Sequence, residues 1–138
     1  MSLVLDSSMT LAWCFHDERT PEVLGVIERV TEEGAQVPPL WRYEVANGLL
    51  MAQRRRRIDA SRRAALLEAL AEFSISEDRE PESNPWRATV QLAELHQLTV
   101  YDAAYLELAQ RRRLPLATLD EALRRAADQS GVEAVPSR

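Results

Sequence analysis

Five short strand-like runs, set apart by longer stretches of helical periodicity, constrain this chain more than any other feature. The runs are Leu3–Leu5, Ala35–Val37 and residues 74–76, 114–118 and 132–135. Between them, apolar residues recur at helical spacing, as Val23, Leu24, Ile27 and Val30 do. Pro21 suits the first position of that helix, and Gly34 suits its end. Further helices are expected over residues 9–15, 40–53, from the 58–61 turn to about 73, 86–97, 103–112, and from Asp120 to about 129. Ser7 or Ser8 is expected to cap the first of these, and the polar segment 77–85 reads as a loop. Joining strands through helices leaves them parallel, because a parallel pair needs a long crossover. The expected fold class is therefore α/β, a parallel sheet covered by helices on both faces.

A chain of 138 residues that is 46% hydrophobic and 28% charged has the size and composition of one domain with its own core, spanning residues 1–138. No run approaches the ~20 apolar residues that a bilayer span requires. The N-terminus also lacks the basic and apolar regions of a signal peptide, so a cytoplasmic protein is expected. Cys14 is the sole cysteine, which excludes an intrachain disulfide and suits a reducing compartment.

Four carboxylates stand where chemistry is possible. Asp6 closes the first run, Asp120 lies just beyond 114–118, Asp102 opens a helix, and Glu44 falls in the first turn after Pro38 and Pro39. In open α/β sheets, ligands bind beyond the carboxyl ends of the strands, so all four can face one cleft. Taken singly, an aspartate at a helix start is ordinarily an N-cap. Taken together, they are costly, since two carboxylates about 4 Å apart repel by about 4 kcal/mol at an effective dielectric of about 20. Such a cluster stays ionised with a cation, or else some members are protonated. Oxygen donors without His or Cys select hard ions, chiefly Mg²⁺ or Mn²⁺, which suit attack on a phosphodiester by activated water.

The segments LVLDSSMTLAW, PPLWRYEVANGL, TVYDAAYLELA and LATLDEAL occur in one order along the chain. In that order and spacing they resemble PIN-domain proteins, most of all the VapC-type toxins of bacterial toxin–antitoxin pairs, from Leu3 to about Val135. The resemblance implies a five-stranded parallel sheet between helices. It matches Asp6, Glu44, Asp102 and Asp120 to the family's acidic quartet, with no acid missing. Thr118 matches a hydroxyl residue two positions before the last acid, and Ser8 and Asn47 match polar positions near the first two.

The net charge of −5 conceals clustering of the 17 basic residues, every one of them Arg. Arg54, Arg55, Arg56 and Arg57 end the Glu44 helix, and two readings stand: a solvated end that favours the helix dipole, or a contact for RNA or an acidic partner segment. Arg111, Arg112 and Arg113 also end a helix and read as solvated. His16 and His96 fall on separate elements, so a His-pair ribonuclease is not expected. Ser7 and Ser8 lack a nucleophile elbow, and there is no phosphate-binding P-loop. Cys14, in an apolar helix, reads as an inert thiol, and Trp13 and Trp41 as packing residues. Helices between residues 40 and 73 carry more apolar residues than one face needs, which provides for an antitoxin groove or a homodimer contact.

The resulting reading is a metal-dependent endoribonuclease, the toxin component of a type II toxin–antitoxin pair. Asp6, Asp102 and Asp120 are expected to hold Mg²⁺ or Mn²⁺, while Glu44 assists and orients the attacking water. The alternatives are a non-catalytic α/β binding module whose acids cap helices, and a PIN-type nuclease acting on structured DNA.

Overall fold

Leu3, Val4 and Leu5 offer no polar face, so the strand they form must be covered on both sides. In the computed structural model, which describes residues 2–80 and 85–137, this strand is the middle of the sheet. On one side of β1 (Leu3–Leu5) lie β2 (Ala35–Val37) and then β3 (Ile75–Glu77). On the other lie β4 (Leu116–Ala117) and then β5 (Ala134–Val135). All neighbours are parallel, with Val4 in register with both Gln36 and Leu116. The three β1 residues are at most 1% exposed, and burying each aliphatic side chain contributes roughly 1.5–3 kcal/mol.

The helices are α1 (Ser7–Cys14), α2 (Pro21–Glu33), α3 (Leu40–Arg54), α4 (Ala60–Ala71), α5 (Val90–His96), α6 (Val100–Arg112) and α7 (Glu121–Gln129). Packing divides them into two groups: α1 against α2 and α3, with α4 on α3, and α6 against both α5 and α7. Strands are added in one direction from β1 to β3 and in the other from β4 to β5. Crossovers are right-handed as a rule, so this reversal puts the two helix groups on opposite faces. The order of winding changes between β1 and β4, which is where a sheet of this kind opens a crevice.

The expected element order and the parallel sheet are present, with differences at the ends. The third strand is shifted by one residue, Ile75–Glu77 in place of 74–76, with the Ser74 carbonyl accepting Ala35 N–H at 3.0 Å just before it. The last two strands, expected over 114–118 and 132–135, shrink to two residues each, as β4 and β5. The helix expected over 86–97 begins as a π-helical turn at Pro85–Thr89 and becomes α-helical only as α5. Neither Ser7 nor Ser8 caps α1; Asp6 does, accepting Met9 N–H at 2.9 Å. Glu44 sits in the second turn of α3 rather than the first, since α3 starts at Leu40. Part of the expected 77–85 loop, residues 81–84, lies outside the described residues.

Arg111–Arg113 is not the solvated helix end that its sequence suggests. Arg111 pairs with Asp78 at 2.6 Å and with Glu107 at 2.7 Å, and Arg112 with Asp78 at 3.3 Å and Glu80 at 2.7 Å. The Asp78 side chain is 1% exposed, so these pairs lock the segment after β3 onto the end of α6. Arg113 adopts a left-handed conformation, φ 56°, and closes the helix.

Two glycines sit at close approaches. Gly48 of α3 lies against Leu11 of α1, where an added Cβ would fall 2.5 Å from Leu11 Cδ1. That contact brings the start of α1 beside Glu44. Gly34 has φ +80° and ends α2, and its missing Cβ would lie 3.0 Å from the Ser74 carbonyl oxygen. That oxygen is fixed by its bond to Ala35, so it cannot give way. Gly34→Ala is expected to cost about 1–3 kcal/mol in equilibrium denaturation, and an unchanged midpoint would show the position to be unstrained.

Candidate active site

Asp6 is carried by the last peptide of the buried strand, whose N–H donates to Ala117 O of β4 at 3.1 Å. Its side chain is therefore delivered into the protein at the boundary between β1 and β4, and the residue is 3% exposed. Three donors meet the carboxylate: Met9 N–H at 2.9 Å, Ser8 Oγ at 2.8 Å to Oδ1 and 2.9 Å to Oδ2, and the Thr118 hydroxyl to Oδ2. The same hydroxyls accept from the next loop. Ser8 Oγ accepts Leu119 N–H at 3.0 Å, and Thr118 Oγ1 accepts Asp120 N–H at 3.0 Å. Satisfying one buried carboxylate thus fixes the β4–α7 loop. Behind it, Thr10 Oγ1 donates to Asp6 O at 2.8 Å and accepts Trp41 Nε1–H at 3.0 Å.

Asp120 follows that loop and caps α7, accepting Leu123 N–H at 2.8 Å. Asp102 does not cap α6. The cap is Thr99, whose Oγ1 accepts Asp102 N–H at 3.0 Å. Burial raises the Asp102 carboxyl above its ordinary value, and the charges of Asp120 and Glu44 raise it further, against a hydrogen bond with Thr99. Glu44 is reached from two helices, by Tyr105 Oη of α6 at 2.6 Å and by Ser7 Oγ of α1 at 3.1 Å. Burial and the Glu44 charge raise the Tyr105 phenol far beyond its usual range, so it stays protonated.

The four sequence-expected acids therefore belong to one electrostatic neighbourhood, contributed by β1, α3, α6 and the β4–α7 loop. Ser8 and Thr118 lie within it, both bonded to Asp6. Asn47 is exposed on α3 and bonds to none of these acids. Among the described residues, no group of three or more His, Cys, Asp or Glu side chains is gathered as it would be around a metal ion. Sequence reasoning missed the roles of Ser7 and Tyr105. The one available signal for Tyr105 was its position three residues after Asp102, on the same side of α6.

The Arg54–Arg57 run lies apart. Ten residues of helix separate Arg54 from Glu44, about 15 Å along the axis. Arg57, still exposed, pairs with Asp17 and Glu18 at 3.1 Å each, with its guanidinium 4.2 Å from the Phe15 ring centroid. Arg54, Arg55 and Arg56 are exposed. The thiol of Cys14 is buried, and burial pushes it up to about 11, as an inert cysteine requires. Trp13 packs edge-on against Phe73, with ring centroids 5.3 Å apart, and Trp41 is buried. The apolar surface expected between residues 40 and 73 is a cavity of about 360 Å³ lined by Trp41, Val45, Leu67, Leu70, Phe73 and other residues. No helix among the described residues is long and apolar enough to cross a membrane.

The sequence profile of the PIN domain matches residues 3–129 of this chain. The chain belongs to the PIN-domain family. It is 32% identical to Ribonuclease VapC3 of Pyrobaculum aerophilum over 123 residues, covering 89% of this chain and 92% of that protein. Its fold resembles the crystal structure of PAE2754 from Pyrobaculum aerophilum with a TM-score of 0.70 at 26% identity, over 98% of this chain and 84% of that one. It also resembles that of FitAcB from Neisseria gonorrhoeae, with a TM-score of 0.66 at 19% identity, over 97% and 96%. This second likeness bears on the fold alone.

In this PIN domain the burial of Asp6 makes its stability depend on pH. Burial, helped by the Asp102 charge, raises the Asp6 carboxyl to about 6 against the downward pull of the Thr118, Met9 and Ser8 hydrogen bonds. A carboxyl raised above its unfolded value contributes stability in its protonated form and loses that contribution as pH climbs through the folded value. A displacement of this size corresponds to about 3 kcal/mol. Without added metal, Tm should therefore fall between about pH 4 and pH 6.5. Asp6→Asn should flatten that fall, and an identical profile in both proteins would contradict the account.

Proposed function

We propose that this PIN domain is a divalent-metal-dependent endoribonuclease, acting as the toxin half of a bacterial toxin–antitoxin pair in the cytoplasm. The observation that carries this reading is Asp102. It is a half-buried carboxylate that caps no helix and stands against the charges of Asp120 and Glu44. A purely capping set of acids has no use for it, and perturbed carboxylates of this kind gather at functional sites. The name Ribonuclease VapC3, borne by a relative aligned over most of the chain, supports RNA as the substrate and a cognate antitoxin as the partner.

The donor set fits a hard ion: carboxylates and hydroxyls, with neither His nor Cys. A hard ion that keeps several of its waters, as Mg²⁺ or Mn²⁺ does, needs only one or two protein carboxylates besides. Asp6, Asp102 and Asp120 would hold it. Bound there, the ion would neutralise the clustered charges and lower the barrier for water to attack phosphorus. Ser8 and Thr118 keep Asp6 oriented, and Glu44 orients the attacking water. The water oxygen bonds to phosphorus, the bond to the 3′ oxygen breaks, and the products carry 5′-phosphate and 3′-hydroxyl ends. A homodimer is part of the same proposal, as is a contact of Arg54, Arg55 and Arg56 with RNA or an acidic partner.

The purified protein should cleave single-stranded RNA with Mg²⁺ or Mn²⁺ and stop with EDTA; undiminished cleavage in excess chelator would sink the metal requirement. Structured DNA assayed alongside identifies a DNA nuclease if it is the better substrate. Asp102→Asn should lower cleavage on the order of a hundredfold or more, the scale of losing one positioned charge at a reacting centre. Its metal-free Tm should match or exceed that of the parent, because the repulsion is relieved. Mn²⁺ should raise the parent's Tm through linkage and the variant's much less. Equal metal responses, with a less stable variant, would return Asp102 to a structural role.

Replacing Arg54, Arg55 and Arg56 with Gln should weaken RNA binding and reduce the slope of log affinity against log salt by up to about 2. If affinity and slope both keep their parental values, the run is a solvated helix end.

A further inference from the structure

Glu44 is held by two hydroxyls that arrive from different helices and bond to the same oxygen. Tyr105 Oη donates to Oε1 at 2.6 Å from α6, and Ser7 Oγ donates to Oε1 at 3.1 Å from α1. No described residue is seen to hydrogen-bond Oε2. Tyr105 is 1% exposed and leads the fully buried side chains in volume, so its ring cannot move aside. Packing alone would be served equally well by phenylalanine. The hydroxyl is needed only because Glu44 lies at its tip.

We infer that Tyr105 and Ser7 are positioning residues that clamp Glu44 through Oε1 and leave Oε2 as its single working oxygen. A carboxylate oxygen has two lone-pair sites, and both sites of Oε1 are occupied by these donors. Glu44 therefore cannot grip an ion with both oxygens. It can turn one oxygen, in one orientation, toward a water or a cation. Without the clamp, a flexible glutamate facing the like charge of Asp102 would swing toward solvent, and the two donors hold it against that repulsion. This inference rests on the nuclease reading above.

The test is a double-mutant cycle in the full chain, read by steady-state cleavage of single-stranded RNA and by Mn²⁺ titration followed by electron paramagnetic resonance. Tyr105→Phe should lower kcat roughly ten- to hundredfold, with KM within about twofold, and weaken Mn²⁺ binding. Ser7→Ala should act in the same direction by a smaller factor. In a Glu44→Gln background, neither substitution should have a further effect, because each works through the carboxylate. Parental kcat and Mn²⁺ affinity in Tyr105→Phe would overturn the clamp, as would an undiminished loss in the Glu44→Gln background. If Tyr105→Phe melts early, the half-buried Ser7→Ala carries the same comparison. A parent that neither cleaves RNA nor binds Mn²⁺ overturns the nuclease reading, and the clamp with it. An active parent with an indifferent Tyr105→Phe overturns the clamp alone.

Discussion

Placing the Asp6 carboxylate at the end of a fully buried strand imposes a desolvation cost that the surrounding architecture is built to offset. An ionised carboxylate out of water must be hydrogen-bonded or paired. Here the offset comes from Ser8 and Met9 N–H close by and from Thr118, more than a hundred positions further along the chain. Ser8 and Thr118 in turn accept the Leu119 and Asp120 amides. The β4–α7 loop is thereby tied to β1, and Asp120 acquires its place because Asp6 needed its neighbours. The upward displacement of the Asp6 carboxyl to about 6 shows that these hydrogen bonds do not cancel the cost. Stability is surrendered there at neutral pH.

The four acids divide by what the fold asks of them. Asp6 and Asp120 cap helices, so each has a structural task that would keep it in place without any chemistry. Asp102 and Glu44 have none. Thr99 has taken the capping position of α6, and Glu44 lies a full turn inside α3, held by hydroxyls rather than by a helix end. Half of the cluster is thus anchored by backbone and half by side chains. The anchored half follows β1 and β4, where the strand order reverses. The other half comes from α3 and α6, which belong to opposite faces of the sheet and meet at its carboxyl edge through Tyr105 and Glu44.

Arginine runs that look alike in sequence have different fates. Arg111 and Arg112 lock the segment after β3 to α6 through Asp78, whose side chain is 1% exposed, while Arg113 closes the helix. All four of Arg54–Arg57 stay at the surface, but Arg57 is drawn onto Asp17, Glu18 and Phe15. Spacing reveals a charge run, but the partner that absorbs it comes from a part of the chain 30 to 40 residues away.

The parallel sheet, the sequence of helices and the identity of the acids were legible in the amino-acid sequence, because each depends on local signals. Leu3–Leu5 is uniformly apolar, Pro21 and Gly34 bracket a periodic helix, and each Asp follows or opens an element. Local signals of this kind fix the existence of an element and blur its ends, which is why β3 begins a residue late and α6 starts at Val100 with Thr99 as its cap. The strand order that opens a crevice at β1 and β4 was not legible. Nor were the split of the acids into caps and uncapped charges, the Arg111–Asp78 lock, or the meeting of Ser7 and Tyr105 on one oxygen of Glu44. Each of these is set by which distant segments share the limited space around a desolvated carboxylate, and that competition exists only once the chain is packed.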